Sequence, residues 1–190
     1  AIGTSILTIA FRPEATPYHF AINIPANKIQ EALEWTKARV AILKEGPEEI
    51  QDFRSWNAEA FYFYDVDKNI VELIARKNLN NASNEKFGPD QFLELSEIGL
   101  PTTDIEKEFD ILHRLTGIKV YDGTFDRFCA IGDENGLFIC IDKDKKDWFP
   151  TNDKAFASAF EIRFSVKKAT YRFVYENGKL KGGMSHNLNT

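Results

Sequence analysis

The stretch that most constrains the fold of this chain is 60–76, which reads Ala-Phe-Tyr-Phe-Tyr-Asp-Val-Asp-Lys-Asn-Ile-Val-Glu-Leu-Ile-Ala-Arg. Two runs rich in aromatic and β-branched residues flank a polar turn at 65–69, a pattern typical of a β-hairpin. Glu72 lies in the second run among apolar neighbours, where a buried carboxylate without a partner is costly. Strand alternation places Glu72 on one face with Ile74 and Arg76. We therefore expect Glu72 to face water, a cation or a bound ligand.

Composition and charge exclude several classes of protein. The 190 residues suit one compact unit or two small fused ones, and the ordinary charged fraction of 28% predicts a soluble globular protein. A net charge of −5 with scattered lysines argues against nucleic-acid binding, which needs a basic face. No apolar run approaches the roughly 20 residues of a membrane span. The sequence therefore predicts no nucleic-acid partner and no membrane segment.

The cysteine content favours a reducing compartment. Cys129 and Cys140 are too few for a disulfide framework, and we expect two buried thiols on neighbouring strands, although a disulfide between them is an alternative. Residues 2–11 are too short for a signal peptide and lack a charged start and a cleavage motif. A cytoplasmic location is the expectation.

The first half of the chain reads as a series of strands around one helix. Residues 3–12 predict a strand, and 18–24 predict a second strand that alternates His19, Ala21 and Asn23 with an apolar set that must face a core. Asn27 followed by Gln30 predicts the start of a helix through a capping box. A short strand at 40–44, a polar loop at 45–56, the hairpin at 58–76 and a polar linker complete this half.

The same order starts again after the linker. Residues 93–100 predict a strand that Pro101 ends, and Thr103 with Glu106 predicts a capping box for a helix that ends at Gly117. A short strand at 118–121 and a hairpin over 125–141 follow. Such an internal duplication indicates the fold more strongly than the propensity of any single segment does. Residues 155–175 predict two further strands, and 176–190 predict a polar tail.

This twice-repeated βαβββ module resembles the vicinal oxygen chelate superfamily, which includes the glyoxalase I, bleomycin resistance and extradiol dioxygenase families. The likeness is carried by His19 in the first strand and by the Asp-x-Asp-x-Asn turn that leads into Val-Glu-Leu-Ile at 71–74. It implies an α+β fold in which tandem βαβββ modules with mixed curved sheets form an open cup. An N-terminal strand and a C-terminal extension are added to that fold.

The resemblance also implies a metal site on the floor of the cup. His19 matches the first-strand ligand, and Glu72 matches the last-strand ligand of the first module. In the second module, Leu95 and Ile139 occupy the equivalent positions and cannot bind a metal, so Glu97 is the nearest substitute, predicted on the same face as Leu95. One divalent cation (Zn, Ni, Mn or Fe) is the implied cofactor, with His19 and Glu72 as metal ligands and Glu72 or Glu97 as the catalytic base.

Other residues are candidates for binding a small-molecule ligand. We predict that the cup is lined by polar and aromatic side chains near the metal, namely Asn23, Trp56, Phe61, Phe63 and Arg76. An aromatic stripe in a strand is more often part of a core, so Phe61 and Phe63 have a packing alternative. For Glu72 the alternative is an ion pair with Arg76 or with a lysine across the sheet.

The predicted organisation has five segments: an N-terminal strand (1–17), a first module (18–77), a linker (78–91), a second, degenerate module (92–143), and C-terminal strands with a tail (144–190). The N-terminal strand lacks the elements that would precede it, and a homodimer is one way to cover such an edge. Two functions remain open. One is a metal-dependent lyase, isomerase or dioxygenase that acts on vicinal oxygens, and the other is a metal-free protein that sequesters a small molecule.

Overall fold

The order strand, helix, short strand, hairpin occurs twice along the chain, as predicted. The computed structural model describes residues 1–185. The first occurrence comprises β1 (His19–Ile24), α1 (Ile29–Lys37), β2 (Ile42–Leu43), β3 (Gln51–Phe53), β4 (Ala58–Tyr64) and β5 (Ile70–Arg76). The second comprises β6 (Glu94–Thr102), α2 (Ile105–Thr116), β7 (Val120–Thr124), β8 (Phe128–Asp133) and β9 (Gly136–Asp142). Three further strands follow, namely β10 (Phe160–Val166), β11 (Ala169–Glu176) and β12 (Lys179–Met184).

The chain divides into two units. The first contains Ala1–Gly99, Glu134–Leu137 and Trp148–Asp153, and its strands follow the order β2-β4-β5-β1-β6, with β3 also paired to β4. Strands β1 and β5 are parallel, whereas β1 pairs with β6 and β4 pairs with β5 in antiparallel fashion. This sheet is therefore mixed, and its three adjacent strands β5, β1 and β6 carry the candidate site.

The hydrophobic core of the first unit lies on one face of this sheet. Side chains from β1, β4 and β5 pack there with the apolar side of α1; the buried members are Ile22, Ile24, Ala32, Leu33, Phe61, Val71, Leu73, Ala75 and Phe87. The alternation that places Ile22 and Ile24 in this core turns His19, Ala21 and Asn23 to the opposite face. The two faces of β1 thus have different roles, as the sequence predicted.

The second unit contains Leu100–Asp133, Phe138–Asp147 and Lys154–Thr190, of which the structure describes residues up to 185. Its strands form the series β9-β8-β7 and a separate sheet of order β10-β11-β12. The hydroxyl of Tyr175 donates to the carbonyl of Pro101 at 2.5 Å and ties β11 to the end of β6. Cys129 and Cys140 are free and buried, as expected.

The predicted strand at 3–12 is wrong. The start of the chain is held by an isolated bridge between Ile2 and Ser5, by a hydrogen bond from the amide of Thr4 to the carbonyl of Leu93 (2.8 Å) and by one from the amide of Leu95 to the hydroxyl of Ser5 (3.0 Å). Beyond them, Ile9 and Phe11 are 71% and 91% exposed. A β-branched, alternating pattern needs a hydrogen-bonded neighbour to become a strand, and the residues that the structure describes supply none here.

The helix starts also differ from the prediction. Asn27 does not cap α1, because its side chain pairs with the backbone of Ser83 in two hydrogen bonds of 2.9 Å. The cap of α2 is Asp104, which accepts from the amide of Lys107, rather than Thr103. The predicted end of α2 at Gly117 is confirmed, since this residue adopts a left-handed conformation with φ of 77°.

Three further boundaries need correction. Strand β6 continues through Pro101 to Thr102. Proline cannot donate a hydrogen bond to a neighbouring strand, but this loss is tolerated near the end of a strand. The loop predicted at 45–56 contains β3. The polar tail predicted at 176–190 begins with the turn and strand of the β11–β12 hairpin, and 186–190 lie outside the described residues.

Among residues 1–185, no helix is both long enough and apolar enough to cross a bilayer.

Candidate metal centre

Three neighbouring strands bring together His19, Glu72 and Glu97. His19 lies at the start of β1, Glu72 is in β5, and Glu97 is in β6. Ala21 of β1 is the register partner of both carboxylates, of Glu72 on one side and of Glu97 on the other. Because Ala21 carries only a methyl group, the two longer side chains can converge above it.

A β-bulge in β6 directs Glu97 to this face. Ile22 is opposite Leu95 and Ala21 is opposite Glu97, so Ser96 is an extra residue between two adjacent pairs. Leu95 consequently packs on the core with Ile22, while Glu97 points to the other side. The prediction that Leu95 and Glu97 share a face is therefore wrong, because strict alternation fails at a bulge.

The imidazole of His19 is oriented to accept a cation. Its Nδ1 is 3.2 Å from the carbonyl oxygen of Ile70, which can only accept a hydrogen bond. In the neutral ring, Nδ1 therefore carries the proton and Nε2 carries the lone pair. This Nε2 lies 3.5 Å from Oε2 of Glu72 and 3.8 Å from Oε2 of Glu97.

The spacing of these atoms fits a metal ion. All three side chains are buried, and their ligand atoms lie within 4.8 Å of one another. Ligands about 2.1 Å from a tetrahedral zinc ion are about 3.4 Å apart, close to the distances from His19. Imidazole and carboxylate together suit zinc, iron, nickel or manganese. Within residues 1–185, this is the only group of three or more His, Cys, Asp or Glu side chains that could hold one metal ion.

Arg76 holds the second oxygen of Glu97. Arg76 is fully buried at the end of β5, and its Nη2 donates to Oε1 of Glu97. Its Nε donates to Oδ1 of Asn23 at 3.2 Å, and the Asn23 amide in turn donates to Glu94 at 2.6 Å. Oε1 of Glu97 is thus occupied, while Oε2 remains directed toward His19. Such an outer partner fixes the orientation of a metal-binding carboxylate.

Comparisons with known proteins support the fold. No protein-family model matches the sequence, and no curated protein matches it. Among solved structures, a putative dioxygenase from Bacillus subtilis subsp. subtilis str. 168 is similar, with a TM-score of 0.53 and 14% sequence identity over 90% of this chain. The protein has the vicinal oxygen chelate fold. The predicted α+β architecture is thereby confirmed, at the level of fold alone.

A second similar solved structure is glyoxalase I from Zea mays. Its TM-score is 0.48 at 14% identity, and the match covers 90% of this chain and 68% of that one. The chain spans 63% of the length of the Bacillus protein.

The charges around Glu72 make its ionised form costly. Burial raises the pKa of Glu72 well above its ordinary value, and the nearby charge of Glu97 raises it further; Arg76 and a hydrogen bond from Tyr62 act in the opposite direction. Two carboxylates face one guanidinium, so the site with both acids ionised has an excess negative charge. A divalent cation would remove that excess, and the donor set therefore fits a metal on electrostatic grounds as well.

Aromatic side chains cover the ligand atoms. The Trp148 ring lies 5.0 Å from the His19 ring, centroid to centroid, and Phe149 packs edge-on against Tyr62 at 5.7 Å. A Cβ atom on Gly99 would lie 2.8 Å from Trp148, so a glycine is needed for the indole to occupy this position. These rings exclude water from the site, which strengthens its electrostatic interactions.

The structure brings some of the predicted ligand-binding residues to this site. Asn23 and Arg76 lie beside the metal-binding group, and the guanidinium carbon of Arg76 is 5.4 Å from the Trp56 ring centroid. Phe61 and Phe63 are not brought there, because they pack in the core on the opposite face of β4. The alternative given for those two residues, packing in the core, is the one observed.

Sequence reasoning missed Tyr62 and Trp148. Tyr62 is the register partner of Glu72 across the hairpin, so its ring faces the site; burial and the two carboxylates raise its pKa well above the usual value. The length of the 65–69 turn, read together with strand alternation, contained the information needed to find Tyr62. No local pattern identifies Trp148, because it is 129 positions from His19 in the chain.

Proposed function

We propose that this protein is a metal-dependent enzyme that acts on a small molecule with vicinal oxygens, as a lyase, an isomerase or a dioxygenase. The observation that supports this most directly is the convergence of Nε2 of His19 with two buried carboxylates. A purely structural role would leave two carboxylates buried with a single arginine partner, which destabilises the fold. A catalytic site accepts such a cost because it needs a charged, preorganised environment.

In this proposal His19, Glu72 and Glu97 hold one divalent cation. When bound, Zn, Ni, Mn or Fe would act as a Lewis acid on the oxygens of the substrate. Glu97 is held by Arg76 through its other oxygen, so it is the more rigid ligand. Glu72 accepts a hydrogen bond from the hydroxyl of Tyr62 rather than from an arginine, and burial raises its pKa above the ordinary value, so it holds a proton more readily than an exposed carboxylate does. We therefore assign the role of general base to Glu72.

Metal content after loading tests the proposal. The purified protein is dialysed against chelator, loaded with Zn, Ni, Mn or Fe, and analysed for metal per chain. We expect about one equivalent in the wild type and none in His19→Ala or Glu97→Gln, because each variant removes one of three ligands. Glu59→Gln is the matched control, since Glu59 pairs with Lys77 at the surface. No metal above background under any loading would refute the proposal.

A metal-free binding protein is the second candidate function. It is favoured by Leu95 and Ile139, which the superfamily pattern places where further ligands would be, and by the ion pair that already engages Glu97. In that case the buried site would sequester a small aromatic or apolar molecule. The same metal analysis separates the two candidate functions. A metal-free sequestering protein would contain no more metal than its His19→Ala variant, whereas the enzyme would contain more.

We propose in addition that the protein forms a homodimer in a reducing cytoplasm. Support for the dimer comes from the apolar side chains of Ile6, Ile9 and Phe11, which are exposed by 81%, 71% and 91%. Support for the compartment comes from the two free cysteines. Light scattering tests the dimer: we expect a doubled mass for the wild type and a single-chain mass for Ile9→Glu. A wild-type mass of one chain would refute it.

A further inference from the structure

The guanidinium of Arg76 has hydrogen-bonding capacity that the protein does not use. Its Nη2 donates to Glu97 and its Nε donates to Asn23, whereas Nη1 has no partner among the described residues. The side chain is fully buried, so bulk water does not satisfy this nitrogen. Buried donors without an acceptor are rare, and an unsatisfied one beside a candidate active site indicates a missing ligand atom.

Small residues and aromatic rings surround Arg76. The residue opposite Arg76 on β4 is Ala58, and Ala60 lies opposite Ile74, so the neighbouring side chains on this face are short. These alanines pack with the half-buried rings of Phe53 and Trp56. Short side chains together with aromatic walls are typical of a site that binds an organic ligand rather than an inorganic ion.

The charges near Arg76 limit the kind of ligand. Glu97 lies between the guanidinium and His19, with one carboxylate oxygen directed toward each. Among residues 1–185, Arg76 contacts Glu97, Asn23 and the Trp56 ring, and two further acids lie nearby, Glu72 and the Glu94 that is bonded to Asn23. A monoanion suits a site that already contains these acids better than a phosphate dianion does.

We propose that Nη1 of Arg76 binds the carboxylate of the substrate, so that the substrate is an acid that also carries vicinal oxygens. This rests on the proposed function, since the vicinal oxygens would face His19 and its metal. Arginine recognises carboxylates through planar, charge-assisted hydrogen bonds, and it does so most strongly where water is excluded. Arg76 thus has two roles, because one nitrogen orients Glu97 and another selects the substrate.

A matched pair of probes tests the proposal on metal-loaded protein. Catechol and 3,4-dihydroxybenzoate carry the same vicinal oxygens and differ by one carboxylate. In calorimetric titrations we expect the acid to bind about tenfold more tightly or better, as one charge-assisted hydrogen bond permits. Equal or tighter binding of catechol would overturn the inference.

The variant Arg76→Lys assigns the preference to this residue. Lysine keeps a cation beside Glu97 but has no second planar nitrogen. We expect Arg76→Lys to bind both probes with the affinity of catechol for the wild type, and to retain its metal. A merely structural role for Arg76 would lower both affinities or the metal content together. Arg54→Lys is the control, because the side chain of Arg54 is exposed. An acid preference that persists in Arg76→Lys would overturn the inference.

A second measurement separates this inference from the proposed function. Metal-free wild-type protein is titrated with benzoate and with benzamide, which have the same shape and differ in charge. Selective binding of benzoate would support the Arg76 site even if no metal were taken up, and it does not require that a variant folds. Metal uptake without selectivity in either probe pair would leave the proposed function intact and overturn the carboxylate site.

Discussion

Glu72→Gln should change stability in opposite directions with and without metal. The substitution keeps the shape of the side chain and an oxygen that can accept the hydrogen bond from Tyr62, but it removes the charge. In the metal-free protein, Glu72 and Glu97 share a single counterion, Arg76, which is engaged by Glu97. The charge of Glu72 is therefore the excess charge of the site.

The size of the effect follows from the geometry. The ligand atoms of the two carboxylates lie within 4.8 Å of each other. Two unit charges at that distance repel by about 3.5 kcal/mol at an effective dielectric constant of about 20. This value sets the order of magnitude of the gain in unfolding free energy for Glu72→Gln without metal, and the wild type can relieve part of the repulsion by taking up a proton.

The gain must depend on pH. The pKa of Glu72 in the folded protein lies above its ordinary value of 4.5. As pH rises, Glu72 therefore loses its proton at a lower pH in the unfolded chain than in the folded protein. The metal-free wild type consequently loses stability between about pH 4.5 and the folded-state pKa. Urea denaturation in chelator at pH 5 to 8 measures this. We expect Glu72→Gln to be close to the wild type at pH 5 and more stable at pH 8.

Metal reverses the order. A cation present at about 1,000 times its Kd stabilises the wild type by about 4.1 kcal/mol, which exceeds the electrostatic gain of about 3.5 kcal/mol in the variant, and Glu72→Gln should gain almost nothing from the metal. Glu59→Gln, which breaks only a surface pair with Lys77, should change stability by about 1 kcal/mol or less in both states. The reasoning is refuted if metal-free Glu72→Gln is less stable than the wild type at pH 8, or if their difference is the same at every pH.

Three further predictions concern packing and thiols. Gly99→Ala should cost about 1–3 kcal/mol by displacing the Trp148 indole, and Trp148→Phe should restore part of that loss in urea denaturation. Phe61→Ala should cost about 3–5 kcal/mol while metal content stays at the wild-type value, because Phe61 is in the core. Burial raises the pKa of Cys129 to about 11 and that of Cys140 well above its usual value, so neither thiol should react with Ellman's reagent at pH 8 before unfolding.

Local sequence was sufficient to predict one half of the candidate site. The 60–76 hairpin has strong β-propensity on both sides of a polar turn, and period-two alternation then places Glu72 opposite the core. The same alternation separates His19 and Asn23 from the apolar residues of β1. These inferences succeed because each depends on neighbours along one strand. The strand predicted at 3–12 failed because its formation depends on a partner that local sequence does not specify.

Tertiary structure alone decided the other half. Glu97 reaches His19 only because a bulge at Ser96 interrupts the alternation of β6, and a bulge is set by pairing between strands rather than by the pattern within one. The contact of Arg76 with Glu97 and the position of Trp148 over His19 likewise join segments distant in the chain. The sequence by itself determined which faces are polar and which elements repeat; the sheet determined which polar groups meet, because distances between strands follow from register and packing.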